Sequence, residues 1–234
     1  KLPGLGHVDR ALRLLDQHQP AASQTEAWMQ WEKQRYALYR TQRNWAQLAE
    51  RATGLPAGMP PEFVRWARTE AAHARLSAND AEGARRVLRD LLWQKQGSRD
   101  ERADWRQLVI RSYLIENNVS DAHTALQQYR ADFQVNSPAW RQLEATILIR
   151  AGNPRAAYAL IGDIKPHDGQ LLTLLAGLRG GILPPPTVLT RALRLAEETS
   201  KKPALHHQVW LLAAEAAARA HNPLRRIYAL ERAL

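Results

Sequence analysis

Two copies of one tetrapeptide, Trp105-Arg106-Gln107-Leu108 and Trp140-Arg141-Gln142-Leu143, stand 35 positions apart. The register reaches further, because Ala122 and Ala156 are 34 apart, as are Leu126 and Leu160. A spacing of this size is that of helical repeats, in which each pair of helices cannot bury its apolar face alone and stacks on its neighbours. Such a chain works by presenting a surface.

Apolar residues recur every three or four positions almost throughout, and no strand-like alternation appears, so the expected fold is all-α. The pattern predicts helices over about 8–17, 23–39, 44–52, 61–76, 80–93, 98–116, 120–133, 168–179, 187–199 and 204–220, with two more after residues 137 and 153 and one after 222. Start signals support these limits. Ser23-Gln-Thr-Glu26 and Ser98-Arg-Asp-Glu101 have capping-box spacing, while Asn79 and Ser120 are candidate caps. Ser137-Pro138, Asn153-Pro154 and Asn222-Pro223 each place a cap before a proline, whose missing N–H costs nothing in the first turn. The last two lead to Tyr158-Ala159-Leu160 and Tyr228-Ala229-Leu230. Gly54 is expected to supply the left-handed residue that ends the helix before it. The whole chain, 1–234, is expected to be a single helical-repeat domain with its most regular repeats at about 98–165. Its last helix stops without a cap, which suggests part of a longer protein.

A tryptophan, a leucine three residues on and small and large apolar residues beyond resembles the tetratricopeptide repeat. The resemblance covers about a quarter of the chain and has departures: Val109 and Glu144 stand where a small residue is usual, Ser112 and Ile147 where an aromatic is usual. It implies a right-handed superhelix, an α-solenoid of about six irregular helix pairs. In that family the residue after the tryptophan turns toward the concave groove. The resemblance therefore selects Arg106, Ile110 and Tyr113 in one repeat and Arg141, Ala145 and Leu148 in the next as binding candidates. Segments 103–133 and 227–234 also look like the helical N-terminal regions of Gram-negative soluble lytic murein transglycosylases. That family's catalytic Glu-Ser pair is absent here, so no catalytic residue carries over.

Reaction chemistry is not written in the residues. Without cysteine there are no disulfides, thiolate zinc sites or thiol nucleophiles. Glu70 and His73 share a helical face, but a di-iron bundle needs two such pairs. His206-His207 and Glu197-Glu198 are adjacent and diverge on a helix. No His-Glu-x-x-His, Gly-x-Ser-x-Gly or phosphate loop occurs. No cofactor, no metal and no enzymatic activity are expected. No apolar stretch is long enough to cross a bilayer, and none near residue 1 forms a signal core.

Lys and Arg number 33 against 23 Asp and Glu, giving a net charge of +10. That balance points to an acidic partner, whether nucleic acid, an anionic membrane face or cell-wall glycan. Arginine spread along every helix is also what a GC-rich genome produces. Arg85-Arg86-Arg89 and Arg225-Arg226 are expected on a solvated outer face. Trp28, Trp31, Trp93, Trp105 and Trp140 are expected in the core. The expected function is a non-catalytic scaffold of a bacterial envelope protein. It would bind a protein partner, the rest of its own chain or cell-wall glycan in the periplasm after removal of a signal peptide, with the cytoplasm as the other setting. The alternatives are the helical region of a lytic transglycosylase and a basic nucleic-acid-binding solenoid, the latter disfavoured by the dispersed arginines.

Overall fold

The computed structural model describes residues 5–94, 97–133, 137–162 and 167–234. Among these residues there are thirteen α-helices and no strand. They are α1 (Leu5–Gln17), α2 (Thr25–Gln42), α3 (Trp45–Thr53), α4 (Pro61–Ser77), α5 (Ala81–Trp93), α6 (Arg99–Ile115) and α7 (Val119–Phe133), then α8 (Pro138–Arg150), α9 (Pro154–Ile161), α10 (His167–Arg179), α11 (Pro185–Glu198), α12 (Pro203–Arg219) and α13 (Pro223–Ala233).

One turn recurs five times. Arg43, Asn79, Asn117, Gly152 and His221 all have φ between 53° and 79°, the left-handed conformation that ends a helix. The residue after each, Asn44, Asp80, Asn118, Asn153 and Asn222, donates its backbone N–H five residues back, to the carbonyls of Tyr39, Arg75, Tyr113, Leu148 and Ala217, at 2.8–2.9 Å. The side chain of that same residue then accepts from the backbone N–H three positions on, capping the next helix. One residue thus closes a helix and opens its partner. The pairs α2/α3, α4/α5, α6/α7, α8/α9 and α12/α13 are joined in this way, and Gly181 takes the left-handed position between α10 and α11.

Several expected caps change. The Ser98 box forms as expected, with Ser98 Oγ accepting from the Glu101 N–H at 3.1 Å and the Glu101 carboxylate accepting from the Ser98 N–H at 2.7 Å. The Ser23 box does not, because α2 begins two residues later behind Gln24. Asp80 and Asn118 take the roles expected of Asn79 and Ser120. Ser137 sits at the cap position without a side-chain bond. Gly54 has φ −91° and is not left-handed.

The chain forms two compact units, Lys1–Phe133 and Gln134–Leu234. In each unit consecutive helices pack, and the first helices of successive pairs also touch. In the first unit Tyr36 of α2 stacks on Trp66 of α4 with ring centres 5.4 Å apart. Trp105 of α6 is 1% exposed, and its Nε1 donates to Thr69 Oγ1 of α4 at 2.8 Å. Trp28 and Trp140 are also buried, as expected. Truncating a ring buried like that of Trp105 costs about 3–5 kcal/mol. Alanine lets the helices approach: Ala67, Ala71 and Ala74 on α4 and Ala213, Ala216 and Ala217 on α12 are fully or almost fully buried.

One buried ionic cluster ties α1 to the first pair. Glu32, wholly buried, receives Arg51 Nε and Nη2 at 2.8–3.0 Å and lies 3.4 Å from Arg35 Nε. Arg35, equally buried, donates to Asp16 at 2.6 Å and to the Leu15 carbonyl at 3.0 Å.

Candidate functional site

Helix α5 buries Ala81, Ala84, Leu88 and Leu91 and turns Glu82, Arg86, Arg89 and Trp93 outward at helical spacing. Arg106, Val109 and Tyr113 follow one face of α6 at the same spacing. The two faces border an open cleft of about 980 Å³, lined also by Arg85 and Leu92. Trp93 is 84% exposed on its rim.

Four arginines and one carboxylate, Glu82, line the cleft, and two of the arginines pair with carboxylates outside that lining. Arg85 meets Glu116 bidentately at 2.8 and 2.9 Å, touches Ser112 Oγ at 3.3 Å and lies 4.8 Å over the Tyr113 ring. The Glu116 hydrogen bonds hold this guanidinium above its ordinary range and in return hold the Glu116 carboxyl below the usual carboxylate range. Arg86 pairs with Glu82 at 3.1 Å, and Arg106 lies 3.7 Å from Asp132 of α7. Arg89 is exposed and has no ion pair among the described residues. Four arginines against Glu82, Glu116 and Asp132 leave a small positive surplus.

Of the six residues selected from sequence, Arg106 and Tyr113 come together in this cleft. Ile110 and Ala145 are wholly buried and offer no side-chain surface. Leu148 packs on the cluster formed by Ala145, Ile149, Ala157 and Ile161. Arg141 is half-buried, and its Nε is enclosed with no hydrogen-bond partner among the described residues. The residue after the tryptophan therefore has two different settings, Arg106 bordering the open cleft and Arg141 with its Nε enclosed between helices. Past the first turn of α6 the exposed positions are Asp104, Arg111 and Ile115, and on the last turn of α8 it is Arg150; Gln107, Gln142 and Thr146 are half-buried. The α8 positions Thr146 and Arg150 open onto a second groove, of about 750 Å³, with Leu172 and Leu175 of α10 and Leu211 of α12. At its end Glu215 bridges Arg179 at 2.9 Å and Arg219 at 3.0 Å.

Trp93, expected in the core, is exposed. Arg86 and Arg89 are exposed, as expected of a solvated face, and with Arg85 they border the same cleft as Arg106. The available signal was the spacing of Glu82, Arg86, Arg89 and Trp93 opposite the apolar face of α5. Among the described residues no group of three metal-ligating side chains occurs. Glu70 pairs with Arg40, and the His206 ring nitrogen Nε2 accepts from Trp210 Nε1 at 2.9 Å. No described helix is long and apolar enough to cross a membrane. Comparison with family models, with curated proteins and with solved structures finds no match.

Proposed function

We propose that the chain is a non-catalytic interaction module, a tetratricopeptide-like stack of helix pairs that takes an anionic partner in the cleft between α5 and α6. The observation that carries this reading is the convergence of Arg85, Arg86, Arg89 and Arg106 with Tyr113 and Trp93 on one open surface. A guanidinium pairs bidentately with carboxylate or phosphate; Arg89 has its donors open to such an anion, and Arg85, Arg86 and Arg106, paired with carboxylates, add to the positive surplus around it. The envelope setting and a right-handed superhelix are the finer parts of the proposal; the resemblances to tetratricopeptide and murein transglycosylase helices support them. A chain free of thiols also suits an oxidising compartment such as the periplasm.

Titration with a pentaglutamate peptide, read by calorimetry at low salt, tests the proposal. Replacing Arg89 and Arg106 together by alanine should weaken binding at least about tenfold, the loss of about 1.4 kcal/mol of charge-assisted hydrogen bonding, with the melting temperature unchanged. Binding that is undiminished in the double variant would remove the cleft from the reading.

A further inference from the structure

The cleft's composition narrows the anion it suits. Resting on the proposed function, we infer that the ligand is an acidic glycan, with a sugar ring lying against Trp93 and its carboxylate meeting Arg89.

Three observations carry this. Trp93 is the most exposed aromatic named in the structure, at 84%, on a cleft whose other aromatic, Tyr113, lies beneath Arg85. An exposed indole offers a flat apolar face, and the C–H face of a pyranose ring fits it in size and polarity. Next, Arg89 stands one helical turn before Trp93 and carries no ion pair among the described residues, so its donors are open to an anion. Finally, Glu82 lines the cleft beside Arg86, while Glu116 and Asp132, outside its lining, hold Arg85 and Arg106. Carboxylates are acceptors only, while guanidinium groups are donors only. A cleft that carries both, Glu82 among arginines, offers partners to hydroxyl groups, which both donate and accept.

The pairing of these arginines argues against the other anionic polymers. A nucleic acid brings one phosphate per nucleotide and binds by replacing its counterions with uncompensated cations, yet three of the four arginines here have carboxylates beside them. A run of acidic side chains supplies no hydroxyl donors for those carboxylates and no ring for Trp93. A polyuronate supplies a carboxylate, hydroxyls and an apolar ring face in each residue.

Calorimetry of the whole chain with trigalacturonate, neutral chitotriose, pentaglutamate and a short oligo-dT tests the inference. Trigalacturonate should bind at least about tenfold more tightly than the other three, and Trp93→Ala and Arg89→Ala should each weaken it by about tenfold. Trp93→Phe should retain most of the affinity. Both sites are exposed, so unchanged melting temperatures show that the variants remain folded. Equal binding of chitotriose, tighter binding of oligo-dT, or trigalacturonate binding indifferent to Trp93→Ala would each overturn the inference. If pentaglutamate binds and is lost with Arg89 and Arg106 while trigalacturonate does not bind, the glycan inference falls and the proposed function stands. Should none of the anions bind, both fall.

Discussion

A single buried carboxylate, that of Glu32, holds two arginines from different helices, Arg35 wholly buried and Arg51 33% exposed. Arg35 and Arg51 both pair with it, and Arg35 pairs in addition with Asp16. Removing the Glu32 charge leaves Arg51 without its carboxylate and Arg35 with Asp16 alone; breaking a fully buried pair costs about 3–5 kcal/mol, and the partial exposure of Arg51 and Asp16 lowers that to about 1–3 kcal/mol. Glu32→Gln keeps the volume and removes the charge, so urea unfolding should show a loss of that order; a loss below about 1 kcal/mol would mean that water reaches the arginines. Exposed carboxylates act more weakly but share one sign. The Gly83 backbone N–H, then Arg75, hold Asp80 below its ordinary range. The Ser98 N–H, then Arg65, do the same for Glu101. A carboxyl lowered in the folded state contributes stability above the unfolded value, near 4, and loses it as the pH falls below that. The melting temperature should therefore hold from pH 7 to about pH 5 and drop between about pH 4 and pH 2, with a flat profile counting against these bonds. At this scale sequence reading worked where packing repeats, as for Trp105 and Trp140. Trp93 defeated it, because a tryptophan at helical spacing reads the same whether or not a neighbour covers it.

Helices were legible from periodicity because each buries one stripe, and their existence and order match the expectation. Their junctions were legible only in part. The strongest mark of the repeat is the turn of a left-handed residue followed by Asn or Asp, and the left-handed residue itself varies from Arg to Asn, Gly and His. Only the backbone reveals that these positions are equivalent. The same variation makes a paired prediction. A residue with a Cβ at this φ is strained by about 1–2 kcal/mol, whereas glycine is not. His221→Gly should therefore stabilise the chain by roughly 0.5–1 kcal/mol after the entropy of the freer glycine is subtracted. Gly152→Ala should destabilise it by about 1 kcal/mol, although nothing lies within 4 Å of the added methyl group. Chemical denaturation of the two variants measures both signs, and a shift in the same direction for both would show that these turns are not equivalent. The binding surface was less legible for a related reason. Which face of α6 is open depends on where α5 and α7 lie, and a rotation of one residue moves Arg106 from a groove to a cleft.

For the molecule as a whole, stability follows from packing between neighbours. Each described core cluster lies within one unit: the clusters around Phe63 and around Leu88 in Lys1–Phe133, those around Ile161 and around Ala213 in Gln134–Leu234. A chain of this kind gains its stability as a sum of local terms, so a fragment that keeps its own neighbours keeps most of its free energy. The ionic cluster of Glu32 and the cleft at α5 and α6 both belong to the first unit, and the Arg179–Glu215–Arg219 bridge belongs to the second. Expressed separately, residues 1–133 and 134–234 should each show helical circular dichroism and a cooperative thermal transition. The first fragment alone should reproduce the anion binding of the full chain within about threefold, since every arginine of the cleft and every carboxylate paired with one comes from it. A first fragment that folds but no longer binds would show that the cleft is completed by residues after Phe133, and a fragment without helical signal would show that the two units are one cooperative structure.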